Sequence, residues 1–124
     1  PLFIKIAPDL SPEEVNGIAE SLIKSEMDGV IATNTTLDRE AVKGLEHANE
    51  AGGLSGEVLV NQSQLITEQL HTALNGKMPI IGVGGIHDVA SAKARMAAGA
   101  ELIQVYSSFI YQGPALVKQL VEGL

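Results

Sequence analysis

Four short polar groupings, each set at the end of an apolar run, hold most of the chemistry this sequence can offer. Lys5 lies among Phe3, Ile4, Ile6 and Ala7 and is followed by Pro8-Asp9; Thr33-Asn34-Thr35-Thr36 closes a second apolar run; Gly84-Gly85 closes a third; Tyr106-Ser107-Ser108 closes a fourth. A lysine in a buried parallel strand loses hydration unless an anion meets it, so Lys5 reads as a cation facing an anionic cofactor or substrate. Its alternative is a strand-end lysine whose ammonium snorkels to solvent. Asn34 and Thr35 present donors and acceptors side by side, which suits a small planar ring bearing carbonyl and N–H groups; the same run also suits a turn satisfying its own backbone. Gly84-Gly85 and Tyr106-Ser107 match a phosphate cradle built from backbone N–H groups after the last strands of a (β/α)8 barrel. An ordinary strand-to-helix turn that needs glycine is the competing reading.

Other chemistries find no support. His47, His71 and His87 have no ligand spacing with one another or with a carboxylate cluster, so no metal site is expected. The chain has no cysteine, which excludes disulfides and thiolate ligands. No Ser-His-Asp arrangement emerges, and no catalytic residue is assigned. Glu13, Glu14, Glu20 and Glu26 read as a solvated helix face.

The elements that must position these groups follow from periodicity. Residues 2–7 read as a buried strand stopped by Pro8. Ser11-Pro12-Glu13-Glu14 has the form of a capping box with proline at the first helical position, and Val15, Ile18, Ala19, Leu22 and Ile23 form one apolar face. Residues 29–33 form a second strand. The polar, glycine-bearing stretch 37–62 reads as a long loop, and loops of that length in compact domains are usually functional or disordered. A helix resumes near Ser63, with Ile66, Leu70, Ala73 and Leu74 on one face and Asn75-Gly76 at its end. Residues 79–83 form a third strand, and Asp88 caps an alanine-rich helix that runs to Ala98 and stops at Gly99. Residues 102–106 form a fourth strand, and Gly113-Pro114 opens a last helix that buries Leu116, Val117, Leu120 and Val121. Strict βα alternation implies a parallel sheet, with ligands at the carboxyl ends of its strands.

Composition agrees with that class. Apolar residues make up 45% of the 124 but aromatics only 3%, so the core must be branched aliphatic and alanine, as in α/β proteins. A net charge of −7 without a Lys/Arg cluster argues against nucleic acid as a partner. No apolar run reaches the roughly 20 residues of a membrane span. The chain enters a strand directly from Pro1-Leu2, without methionine or lead-in, which reads as a piece of a longer protein.

Five strings, Phe3-Ile-Lys-Ile-Ala-Pro-Asp-Leu10, Ala32-Thr-Asn-Thr-Thr-Leu-Asp-Arg39, Gly52-Gly-Leu-Ser-Gly56, Ile81-Gly-Val-Gly-Gly-Ile86 and Val105-Tyr-Ser-Ser-Phe109, resemble in order and spacing the dihydroorotate dehydrogenase family. Asn-Thr-Thr with Arg39 nearby and Gly-Gly-Leu-Ser-Gly resembles its class 2, quinone-linked branch. The resemblance implies the C-terminal half (residues 1–124) of an FMN-binding (β/α)8 barrel that oxidises dihydroorotate to orotate in pyrimidine biosynthesis. By the same resemblance Lys5, Thr33, Gly56, Gly85, Tyr106 and Ser107 are FMN-binding, and Asn34 and Thr35 hold the substrate ring. It further implies a parent bound peripherally to the cytoplasmic face of the cell membrane through an N-terminal segment outside this chain. The serine base of class 2 has no counterpart here and half of the ring contacts are missing, so the chain alone is expected to be inactive and weak toward FMN. It is expected to be soluble, and its unpaired edge strands to make it close into a homodimer of half-barrels or aggregate. A class 1 enzyme, another flavin barrel and an inactive self-associating half-barrel are the alternatives.

Overall fold

A computed structural model describes all of residues 1–124. The order is β1 (Phe3–Ile6), α1 (Pro12–Lys24), β2 (Gly29–Ala32), α2 (Val60–Leu74), β3 (Ile80–Val83), α3 (Val89–Ala97), β4 (Leu102–Gln104), α4 (Ser107–Gln112) and α5 (Ala115–Gly123), with 3₁₀ turns at Glu40–Val42 and Glu57–Leu59. The four strands form one parallel sheet, as the βα alternation implies, and their order is the sequential β1-β2-β3-β4.

Local chemistry sets the helix boundaries. The Ser11 hydroxyl accepts from the Glu14 N–H at 3.2 Å and the Glu14 carboxylate accepts from the Ser11 N–H at 2.8 Å, with proline in the first turn. Asp88 accepts from the Ser91 N–H at 2.7 Å while Ser91 Oγ accepts from the Asp88 N–H at 3.1 Å. Asn75 ends α2 in the left-handed conformation, its N–H donating to the His71 carbonyl. Such caps satisfy backbone groups that a helix end leaves unpaired.

Register divides the strands into two faces. Lys5 pairs with Ile31, Ile31 with Ile81 and Ile81 with Leu102, so these share one face, because side chains alternate along a strand. The opposite face carries Ile6, Val30, Ala32 and Ile80, which join Val15, Ala19 and Leu22 of α1 and Ile66, Leu70 and Leu74 of α2 in the main core. A smaller core joins Ile86, Ala92, Leu116 and Leu120. The first face has no layer over it, and β1 and β4 each leave one edge unpaired. Only 27 of 124 residues are buried, as expected for a sheet covered on one side.

Several expectations are corrected. The fourth strand stops at Gln104 rather than 106, because residues 107–112 fold into α4. Stretch 37–62 holds two 3₁₀ turns, its Leu54 forms an antiparallel bridge with Thr36 just before it, and α2 begins at Val60, ahead of Ser63. Val117 and Val121 are exposed, since α5 turns only Leu116 and Leu120 inward. Lys5 is not desolvated: it stands on the uncovered face and is exposed, so the cost argued from a strand apolar on both sides does not apply within this chain.

Candidate functional site

A cavity of about 470 Å³ opens at the carboxyl ends of the strands. Its wall includes Lys5, Thr33, Asn34, Thr35, Gly56, Gly85, Tyr106 and Ser107. All eight residues singled out in the sequence therefore meet in one place, although they come from four separate strand ends and the long loop. The volume falls within the roughly 300–1,000 Å³ of small-molecule sites.

The parallel sheet delivers three of the four groups directly. Lys5 extends from the uncovered face of β1. Just beyond β2, the Asn34 N–H donates to the Ile6 carbonyl at 2.7 Å and the Thr33 N–H to the Val83 carbonyl at 2.8 Å, so this segment bridges its two neighbours. Thr33 is buried, its hydroxyl 2.6 Å from Ser63 Oγ of α2 and 3.0 Å from the Asn34 carbonyl, while the Asn34 side chain is exposed. The hydroxyl of Thr33 is thus committed to the protein, and the exposed amide of Asn34 is the better placed of the two to meet a ligand. Gly85 takes φ +76°, and a Cβ there would lie 2.5 Å from the Val60 backbone nitrogen; both the turn and the close approach of α2 demand glycine.

The long loop is held to the cavity by contacts that short-range patterns do not show. The Asp9 carboxylate accepts from Thr36 Oγ1 at 2.5 Å, from the Leu37 N–H at 2.8 Å and from Gln62 Nε2 at 3.1 Å. Burial pushes this carboxyl up, but the Thr36, Leu37 and Gln62 hydrogen bonds and the Arg39 charge together hold it below its ordinary value of 3.8. The Arg39 guanidinium donates to the Thr36 carbonyl at 3.2 Å and to the Gly52 carbonyl across the loop. Gly53 then leaves room for Thr35, whose Oγ1 would be 1.8 Å from a Cβ at that position. Ser55 Oγ meets Ser107 Oγ at 2.8 Å and so ties the loop to α4.

Several wall residues escaped sequence reasoning. Gln104 lines the cavity and carries the same signal as Lys5, a polar residue in an otherwise apolar strand. His87 does too, its Nδ1 2.7 Å from the Gly85 carbonyl and its Nε2 3.9 Å from Glu57 Oε1. No three His, Cys, Asp or Glu residues converge as a metal would need, and no helix is long and apolar enough to cross a membrane.

The family model "Dihydroorotate dehydrogenase" matches residues 1–124. A relative named "Dihydroorotate dehydrogenase (quinone)" from Vibrio parahaemolyticus is 58% identical over 124 residues, which are 100% of this chain and 37% of that protein. One of the same name from Aeromonas salmonicida is 59% identical with the same coverage. DHODH from Eimeria tenella in complex with ferulenol superposes with a TM-score of 0.93 at 40% identity, covering 99% of this chain and 32% of that one. The ligand-free form from that organism gives 0.92 at 39% identity. The chain thus spans a little over a third of the curated relatives it matches, and its four parallel strands with outer helices are a segment of their (β/α)8 barrel. It belongs to the dihydroorotate dehydrogenase family.

Proposed function

We propose that residues 1–124 are the C-terminal half of the FMN-binding barrel of a quinone-linked dihydroorotate dehydrogenase, which oxidises dihydroorotate to orotate in pyrimidine biosynthesis. The observation carrying this is the convergence of the eight residues on a single cavity at the strand ends.

Those residues fit FMN. Gly85 and the backbone of Tyr106 and Ser107, where α4 begins, offer N–H groups to a phosphate without a basic side chain. Gly56, at φ +100° and with Ser107 Cβ 4.0 Å from where a Cβ of its own would lie, lets the loop come close to a flat ring. When bound, FMN would supply the hydride acceptor for dihydroorotate and the link to quinone. Lys5 would place a positive charge where negative charge accumulates on the reduced ring. Asn34 and Thr35 would orient the pyrimidine ring through its carbonyl and N–H groups, and the Asp9–Thr36 and Arg39–Gly52 contacts keep them in position. The base that takes the substrate proton lies outside this chain, as does the segment through which the parent would touch the cytoplasmic face of the membrane and admit quinone.

Two measurements test this reading. FMN titrated into the purified full-length protein should bind and support dihydroorotate:quinone turnover, while the 124-residue chain should bind FMN weakly and show no turnover, because much of the positioning that accelerates the reaction is lost. Turnover by the isolated chain comparable to the full-length protein, or a full-length protein without FMN affinity, would overturn it.

A further inference from the structure

One cation of this chain is buried with no acidic partner. Arg95, on α3, is 2% exposed, and none of the ion pairs in the structure includes it. Its guanidinium donates only to backbone carbonyls: Val83 at 3.1 Å, Gly84 at 3.0 Å and Val60 at 3.3 Å. Its Nε has no partner. Burial pushes the guanidinium down to about 10, so it stays charged at neutral pH. An unpaired buried charge is costly, and this one is accommodated at a site the fold has cleared for it. Gly82 lies beneath its stem: a Cβ there would be 2.4 Å from Arg95 Cγ and 2.9 Å from Cδ.

The carbonyls it grips belong to the cavity wall. Val83 and Gly84 line the cavity directly, next to Gly85, and Val60 is the residue whose backbone presses on Gly85. The Val83 and Gly84 carbonyls accept from Arg95, and the Val83 carbonyl accepts from the Thr33 N–H as well, so the turn is held from α3 and from the end of β2 together. Among the charged side chains lining the cavity, Lys5 and Glu57 offset each other, so the cradle gains little net charge from its own rim.

We propose that Arg95 is a positioning residue for anion binding in this cavity: it locks the β3–α3 turn from behind and supplies, through the backbone, the positive charge that a phosphate group needs. This rests on the reading of the cavity as an FMN site and goes beyond it by naming a residue that does not line the cavity. Two properties then separate. The charge acts on the phosphate of FMN and not on the uncharged riboflavin, whereas the packing acts on both alike.

The test is titration of FMN and of riboflavin, followed by flavin fluorescence, into the flavin-free full-length protein and its Arg95→Met and Arg95→Lys variants. Arg95→Met should weaken FMN binding about tenfold while leaving riboflavin nearly unchanged, the scale expected for one charge acting across a turn at intermediate dielectric. Arg95→Lys should retain most of the FMN affinity. If the Met variant does not fold, Arg95→Gln, which keeps donors without charge, carries the same comparison. Equal loss for both ligands, or no loss for either, would overturn the proposal. A wild-type protein that binds FMN no better than riboflavin would instead overturn the phosphate reading of the cavity itself.

Discussion

The same substitution made at two glycines should have opposite effects on stability. Gly82 is inside β3 and Gly17 inside α1. Replacing either by alanine restricts the unfolded chain and favours the folded one by about 0.5–1 kcal/mol. At Gly17 nothing lies within 4 Å of the new methyl, so that gain stands unopposed, and Gly17→Ala should stabilise by about 1 kcal/mol, as in exposed helix interiors. At Gly82 the methyl would fall 2.4 Å from Arg95 Cγ and 3.0 Å from Ala100 Cβ. The Arg95 stem must then shift, carrying with it a guanidinium bonded to Val83, Gly84 and Val60. Overpacking of a tight interior costs about 1–3 kcal/mol, which exceeds the gain, so Gly82→Ala should destabilise by about 1–2 kcal/mol. Urea unfolding followed by far-UV circular dichroism, with slopes compared to confirm a common denatured state, reads both. A Gly82→Ala protein as stable as wild type would refute the placement of Arg95 beneath that strand.

Other expectations follow from the site and the sheet. In the full-length protein, Lys5→Ala should slow flavin reduction on the order of 10²-fold in stopped-flow measurements, and a wild-type rate with full flavin content would remove Lys5 from its assigned role. Asn34→Ala should slow dihydroorotate turnover roughly tenfold with flavin content unchanged; loss of FMN instead would contradict its assignment to substrate. Because Asp9 titrates below 3.8 when folded, its contribution to stability is complete above the unfolded value and disappears as pH falls through the folded one. Asp9→Asn should therefore flatten the acid limb of a stability–pH curve, with wild type and variant converging at the acid end, and parallel curves would show that the Thr36 and Leu37 contacts do not depend on the charge. The unpaired edges of β1 and β4, with Ile4, Leu102, Ile110 and Val121 exposed, favour self-association of the isolated chain. Sedimentation equilibrium at micromolar concentration should show dimers or larger species, and a concentration-independent monomer would count against this.

Short-range signals determined the framework. The Ser11–Glu14 box, the Asp88 cap and the left-handed Asn75 appear where their residue types require them, because a cap depends on three or four neighbouring residues and little else. The four strands and their parallel direction follow from βα alternation, and the polar residues at their ends are visible as interruptions of apolar runs. Tertiary structure decided what depends on distant partners. Helix α4 has six residues and no side-chain cap, too few to display a period. Loop 37–62 takes its course from Asp9, Arg39 and Gln62, whose contacts link residues up to 54 apart. Which residues of each strand face the helices was set by register, leaving Lys5 on the open side and Ile6 in the core. Arg95 shows the division most clearly: in the sequence it is a charged residue on an alanine-rich helix, as any solvated position would be. It is buried because β3 presents a glycine opposite its stem and three carbonyls within reach of its guanidinium, and that complementarity exists only once the helix lies on the sheet.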